Sequence, residues 1–183
     1  MLEDMSQHMV DIAENGINAG ASRIRVLFNE CTPDGWLLLE VEDNGRGMEE
    51  EMLRKVVDPF TTTRTTRKVG LGIPFLKQIA ELCEGELHIS SEPGQGTLLR
   101  ATLRADAVDC PPLGDIPLSV MTLFAGHPHI QWNFCLARGE KEFLLSWDEL
   151  VAELEDPELF SLPEVALWLR ETVREGLEEI REC

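Results

Sequence analysis

From residue 61 to residue 76 the chain reads TTTRTTRKVGLGIPFL, and this stretch restricts the fold more than any other. Arg64, Arg67 and Lys68 crowd among five threonines in a chain whose formal net charge is -18. Directly after them come Gly70 and Gly72, ahead of a helical apolar pattern with Pro74 in its first turn, where proline suits a helix start. Glycines at a helix entrance let backbone N–H groups approach an anion, and the helix N-terminus favours negative charge. A loop of hydroxyl donors and cations beside that entrance suits a polyphosphate. Taken alone, the stretch also reads as a polar surface loop leading into an ordinary helix.

The surrounding pattern alternates helix and strand. Leu2, Met5, Met9, Ile12, Ala13 and Ile17 recur at the helical period, which predicts a helix over 2–19, stopped by NAGAS. RIRVLF (23–28) and WLLLEVE (36–42) flank the turn TPDG and predict an antiparallel pair. EEEMLRKVV (49–57) predicts a short helix with acids at its favourable end, and IPFLKQIAELC (73–83) a longer one. GELHISS and GTLLRATL close the segment as a hairpin around EPGQG. At ADAVDCPPLGDIP, near 105–117, Pro and Gly punctuation predicts a boundary between domains at 1–108 and 109–183. Beyond it LSVMTLF, HIQWNFCLA and EFLLSW read as strands. Capping-box patterns at Ser146–Glu149 and Ser161–Glu164 then introduce helices.

Composition narrows the function. Hydrophobic content of 43% and charged content of 27% are ordinary for a folded chain. The acidity argues against a nucleic-acid or anionic-membrane surface, since both require clustered positive charge. MLEDMSQHMV has no basic region followed by an apolar run, so a cytoplasmic location is expected. The cysteines, Cys31, Cys83, Cys110, Cys135 and Cys183, are odd in number and include no CxxC pair, which fits reduced thiols.

Two further signals carry chemistry. Asp11 and Asn15 are four apart and share one helix face, which alone fits a solvated surface. EDNGRGM places Asp43-Asn44-Gly45 at the end of an apolar strand, which alone fits a tight turn. Together with the basic loop and the glycine-led helix they share one explanation. An amide such as Asn15 can coordinate Mg²⁺, which needs few protein ligands, and a buried carboxylate such as Asp43 accepts from the exocyclic amine of adenine. No GxxxxGK[ST] loop is present, so the P-loop route to nucleotide binding is absent.

These motifs, in this order over residues 5–104, resemble the ATP-binding domain shared by gyrase, the large heat-shock chaperones, histidine kinases and MutL. DIAENGINAGAS stands as an N box, DNGRGM as a first glycine box, DPFTTTR as a phenylalanine box, GLGI as a second glycine box, and GQGT closes the set. The resemblance implies an α+β chain built as a two-layer α/β sandwich of the Bergerat type. Its mainly antiparallel sheet would carry helices on one face. Residues 109–183 lie beyond the resemblance, and their own pattern predicts a small acidic α+β appendage of unknown type. It implies that Asn15 binds Mg²⁺ and that Asp11 is the base orienting a water or a partner hydroxyl. Asp43 would hold the adenine amino group, sharing a water with Thr97. Gly45 and Gly47 would permit close approach, and Met48 would pack near the base. Phe60 would anchor a lid containing Thr61, Thr62, Thr63, Arg64, Arg67 and Lys68, with Gly70, Leu71 and Gly72 serving the phosphates and the hinge.

The chain departs from the family pattern in two places. Asp11 stands where the ATP-hydrolysing members commonly have glutamate, and Lys68 stands where a kinase-type second glycine box has its first glycine. The run from DPFTTTR to RATL resembles histidine kinases and anti-sigma-factor serine kinases more than MutL. Phosphoacceptor helices would lie upstream of the N box, so the expected activity is transfer of phosphate to, or regulation by, a separate protein in signal transduction. An ATP-driven switch of MutL or chaperone type and a nucleotide-binding scaffold without turnover are the alternatives. Residues 109–183 hold 16 acids and 5 bases, which fits a solvated surface or the docking of a protein partner, and a homodimer is also open. His8, one turn before Asp11, reads as a surface or core histidine, and His127 and His129 have no ligand-spaced companions.

Overall fold

Period-two alternation of apolar side chains builds one sheet with one buried face. The computed structural model describes residues 4–57 and 72–182. In chain order they form α1 (Met5–Asn18), β1 (Arg23–Asn29), β2 (Trp36–Asp43), α2 (Glu50–Val56), α3 (Gly72–Leu82), β3 (Glu86–Glu92) and β4 (Gly96–Arg104). Then follow α4 (Ile116–Gly126), β5 (Gln131–Arg138), β6 (Lys141–Ser146), α5 (Trp147–Leu154), a 3₁₀ turn at Pro157–Ser161 and α6 (Pro163–Arg181). The strand order is β3-β4-β2-β1-β5-β6. Every pairing is antiparallel except β1 with β5, which is parallel.

Register puts the inward residues in rows. Val41 stands opposite Val26 and Leu99, and Val26 opposite Phe134, so one apolar band crosses four strands. Asp43 lies on the same face at the end of that band, between Ile24 and Thr97. Helices cover this face. The opposite face carries pairs such as Glu40 with Arg100, whose Nε donates to Oε2 at 2.7 Å. The result is an open α+β two-layer sandwich with a mixed, mainly antiparallel sheet.

Asp4 caps α1, its carboxylate accepting from the Gln7 N–H at 2.9 Å. The backbone N–H groups of Met5 and Ser6 donate to the carbonyls of Pro112 and Leu113, so the first helix is tied to the segment after β4.

Residues 109–183 extend the same sheet. β5 pairs with β1 along its whole length, so the boundary expected near 109 does not interrupt the hydrogen-bond ladder. Phe124 of α4 packs against Trp132, Phe134 and Phe160 at ring separations of 6.2, 6.0 and 5.2 Å. Glu30, directly after β1 with its side chain fully enclosed, receives Arg181 from α6 and Arg138 from β5.

LSVMTLF is a helix, not the strand its apolar run predicts. Asp115 caps it by accepting from the Leu118 N–H, Pro117 sits in the first turn, and Ile116, Val120, Leu123 and Phe124 are buried at helical spacing. A short apolar run hides its period, and here the cap and the proline decide. The Ser161–Glu164 box does not form either. Leu162 is the N-cap of α6, and the Ser161 hydroxyl donates to the Ala125 carbonyl instead. Ser146 does precede α5, but without a side-chain capping bond.

Candidate functional site

The site grows from the end of β2. Alternation along WLLLEVED turns Asp43 inward, and the strand then ends in a turn that Asp43 itself closes, its Oδ1 accepting from the Gly45 N–H at 2.7 Å. Asn44 faces away from the cavity side. Its Oδ1 accepts from the N–H groups of Ser22 and Arg23, both at 2.9 Å, and pins the end of the α1–β1 loop to the turn. Gly16 lets α1 lie directly on the carboxylate, since a Cβ there would stand 2.9 Å from Asp43 Cβ.

The hairpin tip buttresses the turn backbone to backbone. Gly47 has φ +65 and no room for a Cβ, which would meet the Glu92 carbonyl oxygen at 1.9 Å; Gly96, at φ +103, is held the same way against the Asp43 carbonyl. Ser91 Oγ accepts from the Met48 N–H, donates to the Gly96 carbonyl and meets Thr97 Oγ1, each at 2.9 Å. With its one proton given to Gly96, Ser91 accepts from Thr97, and the Thr97 hydroxyl keeps its lone pairs for a donor such as water.

Above this floor is a cavity of about 830 Å³. Val41, Leu99, Met48, Met52, Val56 and Ile73 supply apolar wall, and Asn15, Asn18, Asp43, Arg46 and Thr97 supply the polar groups. Its size and its few convergent polar groups on an apolar lining are those of a small-molecule pocket. Burial pushes the Asp43 carboxyl above its ordinary range, the N–H groups of Gly45 and Thr97 pull it back in part, and Glu42 adds to the rise.

Asn15, Asp43, Gly47, Met48 and Thr97 thus line one cavity, as the motif reading groups them. Gly45 lies behind Asp43 as its hydrogen-bond donor. Asp11 and Gly72 meet each other instead: a Cβ on Gly72 would stand 1.5 Å from Asp11 Oδ2, so the entrance of α3 rests on that carboxylate. Asp11 is held above the ordinary carboxylate range, first by burial and then by Glu14. Phe60, Thr61, Thr62, Thr63, Arg64, Arg67, Lys68, Gly70 and Leu71 lie outside the described residues. Gly16, Asn18, Arg46, Met52 and Ser91 join the site with no role that the sequence motifs assign. Gly16 had a signal, a glycine inside an amphipathic helix, which implies close approach by another group.

His8 is in the core, fully buried. His127 Nε2 meets Glu14 Oε1 at 3.0 Å, bringing the end of α4 to the first helix, and His129 Nε2 meets Glu158 Oε1 at 2.8 Å.

Over residues 2–107 the sequence matches the family described as histidine kinase-, DNA gyrase B- and HSP90-like ATPases. The chain belongs to this ATPase family. Among the relatives of this ATPase domain, Sporulation kinase C of Bacillus subtilis is 31% identical over 99 residues, which are 54% of this chain and 23% of that protein. Sporulation kinase E of the same organism is 39% identical over 101 residues, 54% of this chain and 13% of that protein. Autoinducer 2 sensor kinase/phosphatase LuxQ of Vibrio cholerae is 31% identical over 115 residues, 58% of this chain and 13% of that protein. The chain therefore spans less than a quarter of each of these relatives. Among solved structures, the Aquifex aeolicus MutL ATPase domain complexed with ADP shares the fold with a TM-score of 0.51 and 15% identity, covering 86% of this chain and 69% of that one. A coverage of 86% exceeds what residues 2–107 can supply, so the shared fold reaches into the strands and helices after β4.

Proposed function

We propose that the cavity binds ATP with magnesium and that the domain passes the terminal phosphate to a separate protein, or is regulated by one, in signal transduction. The observation that carries this reading is Asp43: a half-buried carboxylate at the end of an apolar floor, one oxygen engaged by its own turn, set between Thr97 and α1. Such a group accepts from the amino group of adenine and repels the carbonyl oxygen that guanine presents at the same place. Val41, Leu99 and Met48 then cover the flat faces of the base. Thr97 holds the water that completes the contact.

Asn15 reaches the cavity from α1 and offers an amide oxygen. Mg²⁺ retains most of its waters and needs few protein ligands, so this donor fits it. When bound, magnesium neutralises charge on the phosphates. The chain's own part is positioning, because phosphoryl transfer demands little covalent help from the protein. Asp11 orients the attacking hydroxyl or water and takes its proton. Thr61, Thr62, Thr63, Arg64, Arg67 and Lys68 supply the hydroxyl donors and cations that suit a polyphosphate.

A protein partner docks on the C-terminal region, and a cytoplasmic location fits that use. Leu167 and Trp168 of α6 are exposed beside Glu164, Glu171 and Glu175, a surface suited to a basic, apolar segment. Among the described residues no helix is long and apolar enough to cross a membrane. A second reading, an ATP-driven switch in which nucleotide binding presents a surface to a partner, has one observation in its favour: the likeness to the MutL fold extends past β4.

Incubating the purified chain with ATP labelled at the terminal phosphate, together with proteins that co-purify with it, separates these readings. Label appearing on protein, and lost in Asp11→Asn, supports transfer. Free phosphate alone supports the switch. Neither product, with ATP still bound, leaves a scaffold.

A further inference from the structure

Among the described residues three buried polar side-chain atoms have no hydrogen-bond partner, and all three are on α1: Nδ1 and Nε2 of His8 and Oδ2 of Asp11. Buried polar groups are nearly always paired, so each orphan requires a reason. His8 is completely enclosed, among neighbours on the helix such as Met5, Met9 and Ile12 that are themselves core. A leucine would fill that position without the desolvation penalty of an imidazole.

His8 and Asp11 are three residues apart, which sets their Cβ atoms about 5–6 Å from each other on one helix face. A hydrogen bond between the two side chains, direct or through one water, would give both unpartnered groups a partner. Gly72 packs directly against Asp11 Oδ2. Burial favours the neutral imidazole, opposed by Asp4, whose own oxygens are occupied by Ser6 and Gln7. A neutral imidazole has one N–H to give and one lone pair to receive.

We propose that His8 is a positioning residue for Asp11, donating from a ring nitrogen to Oδ2, directly or through one water, and fixing the carboxylate so that Oδ1 meets the reacting hydroxyl or water. This rests on the reading of Asp11 as the base. The pairing selects one rotamer of Asp11 from those its shorter side chain allows.

The test has two parts, both on the full chain. Imidazole ¹⁵N spectra with Mg-ATP present, in which His8→Gln identifies the His8 signals among the four histidines, are compared between wild type and Asp11→Asn. The His8 nitrogens are expected to shift, while Glu14→Gln moves His127 instead. Unchanged His8 nitrogens overturn the pairing. Turnover of ATP is then measured in His8→Leu and His8→Gln. The leucine variant is expected to lose about tenfold or more in kcat at unchanged KM, with glutamine restoring most of it. A leucine variant with wild-type kcat, or one whose loss is in KM, overturns the positioning role. A wild-type chain without turnover or transfer refutes the base role of Asp11, while the spectra still decide the pairing.

Discussion

Asp43 shows how one side chain serves the fold and the site in opposite directions. Its folded-state value is raised above the ordinary 3.8, chiefly by burial, so the folded chain holds that proton more tightly than the unfolded one. The stability this contributes is full below 3.8 and is lost as pH rises through the raised value. Asp43→Asn removes the titration, so the variant should unfold in urea at a midpoint no lower than wild type at pH 7. The gap between the two should narrow as pH falls through the acid range. A variant clearly less stable than wild type at pH 7 would mean that the carboxylate is a structural keystone. At this scale the sequence was informative wherever chemistry needs a particular residue type: Asn15, Asp43 and Thr97 stand out by their motifs. Asn18 and Met52 did not, because a cavity wall needs only shape and polarity, which many residues supply.

Among the elements, the turn after β2 and the tip between β3 and β4 behave as one unit. Gly47→Ala would place a Cβ at 1.9 Å from the Glu92 carbonyl oxygen in a backbone conformation that side chains avoid. Unfolding by denaturant should show a loss of about 2–3 kcal/mol. An unaffected variant would show that the tip yields easily. Helix and strand assignments were legible where amphipathic periodicity was clean, as in α1, β1 and β4. The reading of LSVMTLF as a strand came from the opposite condition. α4 packs on α1 and α6 through Ile116, Val120, Leu123 and Phe124, while its exposed face carries Leu118, Thr122 and Gly126 and no charge, so its sequence shows little contrast between faces. The capping aspartate and the proline were the usable signals there.

On the scale of the whole molecule, composition marks a change near 105–117 that the sheet ignores. The Pro and Gly punctuation belongs to a connection that carries the chain back to β1, and a parallel pairing across so long a separation leaves no local trace in sequence. A fragment ending at 108 would turn β1 into an open edge and strip Ile24, Val26 and Phe28 of Trp132, Phe134 and Leu136. It would also lose the Pro112 and Leu113 carbonyls that hold the start of α1. We expect no cooperative thermal transition from that fragment; a transition matching the full chain would show the first 108 residues to be self-sufficient.

Adenosine nucleotide bound over Asp43 is what calorimetry tests most directly. With magnesium present, the full chain should bind ATP and not GTP, and Asp43→Asn should weaken ATP at least about tenfold, near 1.4 kcal/mol, while remaining folded. Equal heats for ATP and GTP, or an Asp43→Asn variant that binds ATP as wild type does, would contradict it.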